Sequence, residues 1–183
     1  MRHTLAAVLC AILVPVTAIA QTTKPPVPHD QVLSVNPFGF IVQWFNAEYE
    51  RKTSDSTTVG VSASHFVDAG QSNAAILLRW YPQQAALDGF YLGVRAGGHR
   101  FTTHRYDYSA PSSPSNLPRA TYNEQTSARA GVGFEIGHNW LLGPKQNASV
   151  GLGFGMTRLM GCGNSYEMPC VLPAFRLNVG IAF

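Results

Sequence analysis

Residues 171–183, VLPAFRLNVGIAF, constrain the fold of this chain more than any other stretch. Successive side chains of a strand point to opposite faces, so a strand here divides the segment into two sets. Val171, Pro173, Phe175, Leu177, Val179, Ile181 and Phe183 form one set, with no polar side-chain atom among them. Leu172, Ala174, Arg176, Asn178, Gly180 and Ala182 form the other, mostly small or polar. A segment this divided fits a sheet with unlike environments on its two faces.

The same alternation recurs upstream and predicts eight strands. The first covers residues 31–36 and is ended by Asn36-Pro37; the second covers about 40–52; the third, 57–66; the fourth, 72–81. The fifth covers 89–101, the sixth 121–137, the seventh 147–159, and 171–183 is the eighth. Residues 102–120, with three prolines and many serines, read as a long loop, and 160–170 as another. No segment has the period of an amphipathic helix.

Alternation alone does not say which face meets water. A soluble lipocalin-like barrel puts the apolar set inside. Here the polar set is Gly, Ser and Ala with isolated Arg and Glu, where a water-facing wall would carry Lys, Glu and Thr. Small residues suit the narrow interior of eight strands, and facing water they would weaken strands with nothing to pack against. Charged residues make up 13% of the chain, against about 25% in ordinary soluble domains. Beyond residue 20 the longest purely aliphatic run is 74–78, far short of the ~20 residues of a membrane helix. The expected fold is therefore all-β, an eight-stranded antiparallel up-and-down transmembrane β-barrel over residues 31–183. Tyr49, Trp80, Tyr81, Phe90, Tyr91, Trp140 and Phe183 fall near one end of it, as an aromatic belt at a membrane interface would.

The N-terminus reads as an export signal. Met1-Arg2-His3-Thr4 is a basic lead, residues 5–16 are apolar, and Ala18-Ile19-Ala20 supplies the small-residue cleavage pattern. Residues 1–20 are thus expected to be removed, leaving a proline-rich lead at 21–30. That leaves Cys162 and Cys170, which an oxidising compartment would join as a disulfide. The formal net charge of +3 becomes +2 without Arg2, too small to indicate a nucleic-acid partner.

The closing strand with its terminal Phe183 resembles that of bacterial outer-membrane barrels. The chain from residue 31 onward, including Asn36-Pro37-Phe38-Gly39 and Glu48-Tyr49-Glu50-Arg51, resembles the small OmpA-like or OmpX-like barrels. The resemblance implies a bacterial outer-membrane location in contact with lipid, including lipopolysaccharide. It also implies recognition by the barrel-assembly machinery, with Phe183 as the signal, and loops open to an extracellular ligand.

The inward-facing set collects Glu48, Arg79, Arg95, Arg129, Glu135 and Arg176. A charge in a narrow interior must be paired, so these are expected to form a lumenal ion-pair network, with Asn178 or Glu50 relieving the excess of arginine. An anion pore is the sharper alternative. A lipid A-modifying enzyme, by acyl transfer or deacylation, is another, with His99, His104 and Asp107 as candidate acid/base groups beside Ser109. No cofactor is expected: the glycines of 151–155 and Gly143-Pro144-Lys145 open no helix, as a phosphate loop must.

Overall fold

Eight antiparallel strands follow one another in sequence order and close into a barrel, the last pairing back onto the first. The computed structural model describes residues 27–68, 70–109, 119–161 and 170–183; side chains of 40, 42, 103–109 and 119–122 are outside that description. The strands are β1 (Gln31–Val35), β2 (Trp44–Ser54), β3 (Thr57–Phe66), β4 (Gln71–Trp80), β5 (Gly89–Ser109), β6 (Arg119–Leu142), β7 (Ala148–Leu159) and β8 (Val171–Ala182). One helical turn, α1 (Gly39–Val42), joins β1 to β2.

The pleat sorts the side chains as the alternation predicts. On β8, Val171, Pro173, Phe175, Leu177, Val179 and Ile181 are exposed, whereas Arg176 and Asn178 are buried. On β4, Ile76, Leu78 and Trp80 face out while Ala75, Leu77 and Arg79 face in. The barrel thus wears its apolar residues outside, the reverse of a water-soluble core. The inward glycines have a steric reason. A Cβ at Gly151 would collide with the Arg176 guanidinium, and one at Gly137 with the Tyr91 hydroxyl. At these two positions the glycine leaves room that a large side chain of a neighbouring strand occupies.

Strand bounds differ from the sequence expectation in three regions. The second strand starts at Trp44, because Pro37 cannot donate to a ladder. Asn36 N–H to Asn46 O, at 3.1 Å, is the last rung between β1 and β2. Asn36 Oδ1 then accepts from Phe38 N–H at 2.9 Å, turning the chain into α1. The expected loop at 102–120 is mostly strand: β5 runs on to Ser109 and β6 begins at Arg119, and residues 102–109 pair in register with 119–126. Threonines and tyrosines favour this pairing, and all three prolines fall within 110–118, outside the described residues. Finally, β6 continues to Leu142, where Trp140 stacks on His138 with ring centroids 4.3 Å apart.

Tyr81 and Tyr91 correct the aromatic belt. Both are fully buried and point inward, whereas Trp80 and Trp140 are exposed on the wall. The connection at 81–88 folds beneath the barrel, held by Tyr81 N–H to Ser56 O (2.7 Å), Ala86 N–H to Asp55 O (2.9 Å) and Leu141 N–H to Asp88 Oδ1 (3.1 Å). It delivers Leu87, at φ 76°, into an apolar floor with Val27, Val32, Leu141 and Ala182. The burial of Leu87 outweighs the strain of its backbone. Leu87→Ala is expected to destabilise the barrel by about 2–5 kcal/mol, read as a lower temperature of unfolding in detergent.

Candidate functional site

Polar groups meet inside the barrel in a layer above that floor. Tyr81 and Tyr91 pack with ring centroids 5.7 Å apart, and the Arg79 guanidinium lies 4.6 Å over the Tyr91 ring. Arg79, from β4, donates through Nη1 to Glu48 Oε1 (2.7 Å) and Glu50 Oε2 (2.5 Å), and through Nε to Glu135 Oε1 (2.5 Å). Arg176, from β8, lies 2.8 Å from Glu48 Oε1 through Nη2 and donates through Nη1 to Asn139 Oδ1 (2.6 Å). Asn139 donates to the Tyr81 hydroxyl at 2.8 Å, which donates in turn to Glu50 Oε1 at 2.8 Å. Thr58 Oγ1 donates to the same oxygen at 2.5 Å. Two guanidiniums and three carboxylates therefore form one buried network across β2, β3, β4, β6 and β8.

Period two explains why these residues converge. Glu48 and Glu50 are alternate residues of β2. Tyr81 continues the inward row of Arg79, Tyr91 that of Gly93, and Asn139 that of Glu135. Tyr81 and Tyr91 are legible as inward positions near the ends of the predicted fourth and fifth strands, and Asn139 as the next inward position beyond the sixth.

The structure joins four of the predicted charged residues, Glu48, Arg79, Glu135 and Arg176, and of the two expected helpers it brings in Glu50, whereas Asn178 donates to Ser34 Oγ at 3.3 Å. Arg95 and Arg129 stand apart from the network. Arg129 donates to the carbonyl of Gly161. Arg95 lines a chamber of about 340 Å³ on the far side of the network from the floor, with Asn46, Ser64, Asn73, His99 and Phe101. The buried Nε of Arg95 has no hydrogen-bond partner among the described residues.

His99, His104 and Asp107 do not form a catalytic set around His99. All three lie on the extended strand β5, where a rise of about 3.4 Å per residue puts some 17 Å between the backbones of His99 and His104 and still more before Asp107. His99 is buried and stacks on Phe101, ring centroids 6.3 Å apart. The side chains of His104 and Asp107 and the whole of Cys162 lie outside the described residues, so the Cys162–Cys170 pairing does too.

A packing test separates the two faces. Gly151→Ala pushes Arg176 off Glu48 and is expected to destabilise the barrel by about 1–3 kcal/mol, an overpacking effect. Gly98→Ala meets nothing within 4 Å and is expected to leave the unfolding temperature within error of the parent.

No protein-family model and no curated protein matches the chain. Among solved structures, the chain is similar to the N-terminal β-barrel domain of OprF from Pseudomonas aeruginosa. The TM-score is 0.48 at 12% identity, over 85% of this chain and 98% of that one. It is also similar to the outer-membrane protein Ail of Yersinia pestis in phospholipid bilayer nanodiscs, at a TM-score of 0.40 and 12% identity, over 85% and 99%.

Proposed function

We propose that the chain is a bacterial outer-membrane barrel with a structural and surface-binding role. Its wall sits in lipid, lipopolysaccharide included, its interior is closed to ions, and its outer hairpin and loops meet an extracellular ligand. One observation carries this reading: the outward face bears an apolar band, with Ile76 63% and Phe175 60% exposed, while Glu48, Arg79, Glu135 and Arg176 are buried inside. Water would reject such a surface and hydrocarbon accepts it. Trp80, Trp140 and Phe183, exposed at the end with the short turns at 55–56 and 143–147, support an inner-interface belt. The extended β5–β6 hairpin at the opposite end supports a binding role for the outer surface.

Export through residues 1–20, recognition of Phe183 by the assembly machinery, and a Cys162–Cys170 bridge belong to the same reading. The test is mobility on a detergent gel with and without boiling, followed by conductance in a planar bilayer. A heat-modifiable band with no steady conductance is expected. Anion-selective steps would replace the closed interior with a pore, and a soluble monomer with no detergent requirement would overturn the membrane assignment.

A further inference from the structure

β1 is too short to close the wall over its full height. Its pairing with β8 ends at Val35 opposite Val179. β8 continues from there to Val171, and over residues 171–178 it pairs with β7 alone among the described residues. The ladder phase shows which groups this leaves. Cys170 O accepts from Leu159 N–H and Ala182 N–H donates to Asn147 O, so even-numbered residues of β8 bond β7. Phe183 and Gln31 exchange both backbone bonds, so the odd-numbered row faces β1. Above Val179 that row is Leu177, Phe175, Pro173 and Val171, and among the described residues no strand pairs with it, a gap in the ladder of the wall. Proline, with no N–H to lose, is confined to such edges. Trp44 and Asn46 of β2 stand across the gap, beyond α1.

An open sheet edge does not persist in hydrocarbon, where each unsatisfied group costs several kcal/mol, but it is tolerated where it lines a water-filled cavity. The chamber meets that condition. Trp44 and Asn46 of β2 and 172–175 of β8 line it, and no residue of β1 does. The chamber therefore reaches the wall at the gap. Pro173 is level with Met156 and Phe175 with Phe154, inside the apolar band, while the exposed Arg158 is one outward position higher. The gap thus opens in the outer half of the band.

Inside the chamber, Arg95 has a buried Nε without a partner and no ion pair among the described residues. Asn46, Ser64 and Asn73 offer further polar groups beside apolar Phe66, Phe101 and Leu172. The network below has three carboxylates to two guanidiniums, which disfavours a dianion, and Arg95 is the one Arg or Lys among the described residues that line the chamber. We propose that the chamber binds the head of a single-chain carboxylate amphiphile entering from the outer leaflet, its carboxylate on Arg95 and its chain leaving between β8 and β2. This rests on the membrane reading above.

Of the three tryptophans, only Trp44 lines the chamber. A Trp80→Phe/Trp140→Phe variant in nanodiscs thus reports from that position. The probe is 9,10-dibromostearic acid, with its methyl ester as the uncharged control. The acid is expected to quench Trp44 saturably and the ester only in proportion to its mole fraction. Arg95→Gln should weaken the saturable phase by about tenfold or more, the loss of a charge-assisted hydrogen bond. If Arg95→Gln does not fold, Ala174→Phe, which fills the chamber and keeps every charge, should abolish that phase. Equal quenching by acid and ester, or saturable quenching untouched by the variant that folds, overturns the proposal. A folded, heat-modifiable barrel that does not bind sinks this inference alone; a chain that forms no such barrel sinks the membrane reading with it.

Discussion

Arg79→Met is expected to lower the stability of the barrel by about 3–5 kcal/mol, because it strands buried carboxylates. Arg79 is fully buried and is the only residue that touches Glu48, Glu50 and Glu135 together among the described residues. Without it, Glu135 loses its ion pair and Arg176 is left to offset Glu48. The urea midpoint of the heat-modifiable band in a fixed detergent reads the effect. Adding Glu50→Gln and Glu135→Gln should recover much of the loss, since the penalty arises from unpaired charge and not from missing volume. A single-variant effect below about 1 kcal/mol, the range of exposed pairs, would mean that water reaches the network and screens it.

Ile76→Arg is expected to cost about 2–4 kcal/mol, and Ser72→Arg about 0–1, because the penalty for a charge on a lipid face depends on depth. Both residues lie on the outward row of β4; Ile76 is near its middle and Ser72 at its outer end, beside His65 at 2.9 Å. The comparison is sharper than a single substitution. In a water-soluble barrel with the same strands, Arg at an exposed Ile would be neutral or favourable, so the ordering of the two variants would disappear. Refolding yield in lipid vesicles, scored by gel mobility, distinguishes the cases.

Legibility followed the range of the physics. The two faces of β8 and β4 were readable because period two is a local property, and the inward charges came with them. In sequence Tyr81 and Tyr91 fit the belt because an amphipathic ring near a strand end suits an interface as well as an interior polar site. Parity with Arg79 and Gly93 carried the answer. The stretch from Thr102 to Ser109 reads as loop because the prolines just beyond it dominate its composition, and a loop there would bring His99, His104 and Asp107 together, whereas the extended strand holds their backbones apart. The gap beside Pro173 was not readable: it depends on how far β1 climbs along β8, a relation between residues at opposite ends of the sequence. Pro37 announced the end of a strand but not which partner would lose its neighbour.

The short β1–β8 ladder also bears on the order of assembly. Gln31 and Phe183 bond each other across 152 residues, whereas β5 and β6 are joined through residues 110–118. On loop-closure grounds, bringing the distant ends together costs about 2.5 kcal/mol more than closing that hairpin. Five residues of β1 offset it on one side of β8, while 21 residues of β5 reward the hairpin. The hairpin is then the natural nucleus and ring closure the last step, with the reverse order on opening. Amide hydrogens of β1 and of the adjoining β8 edge should exchange first in the native state, and those at the base of β5 and β6 last.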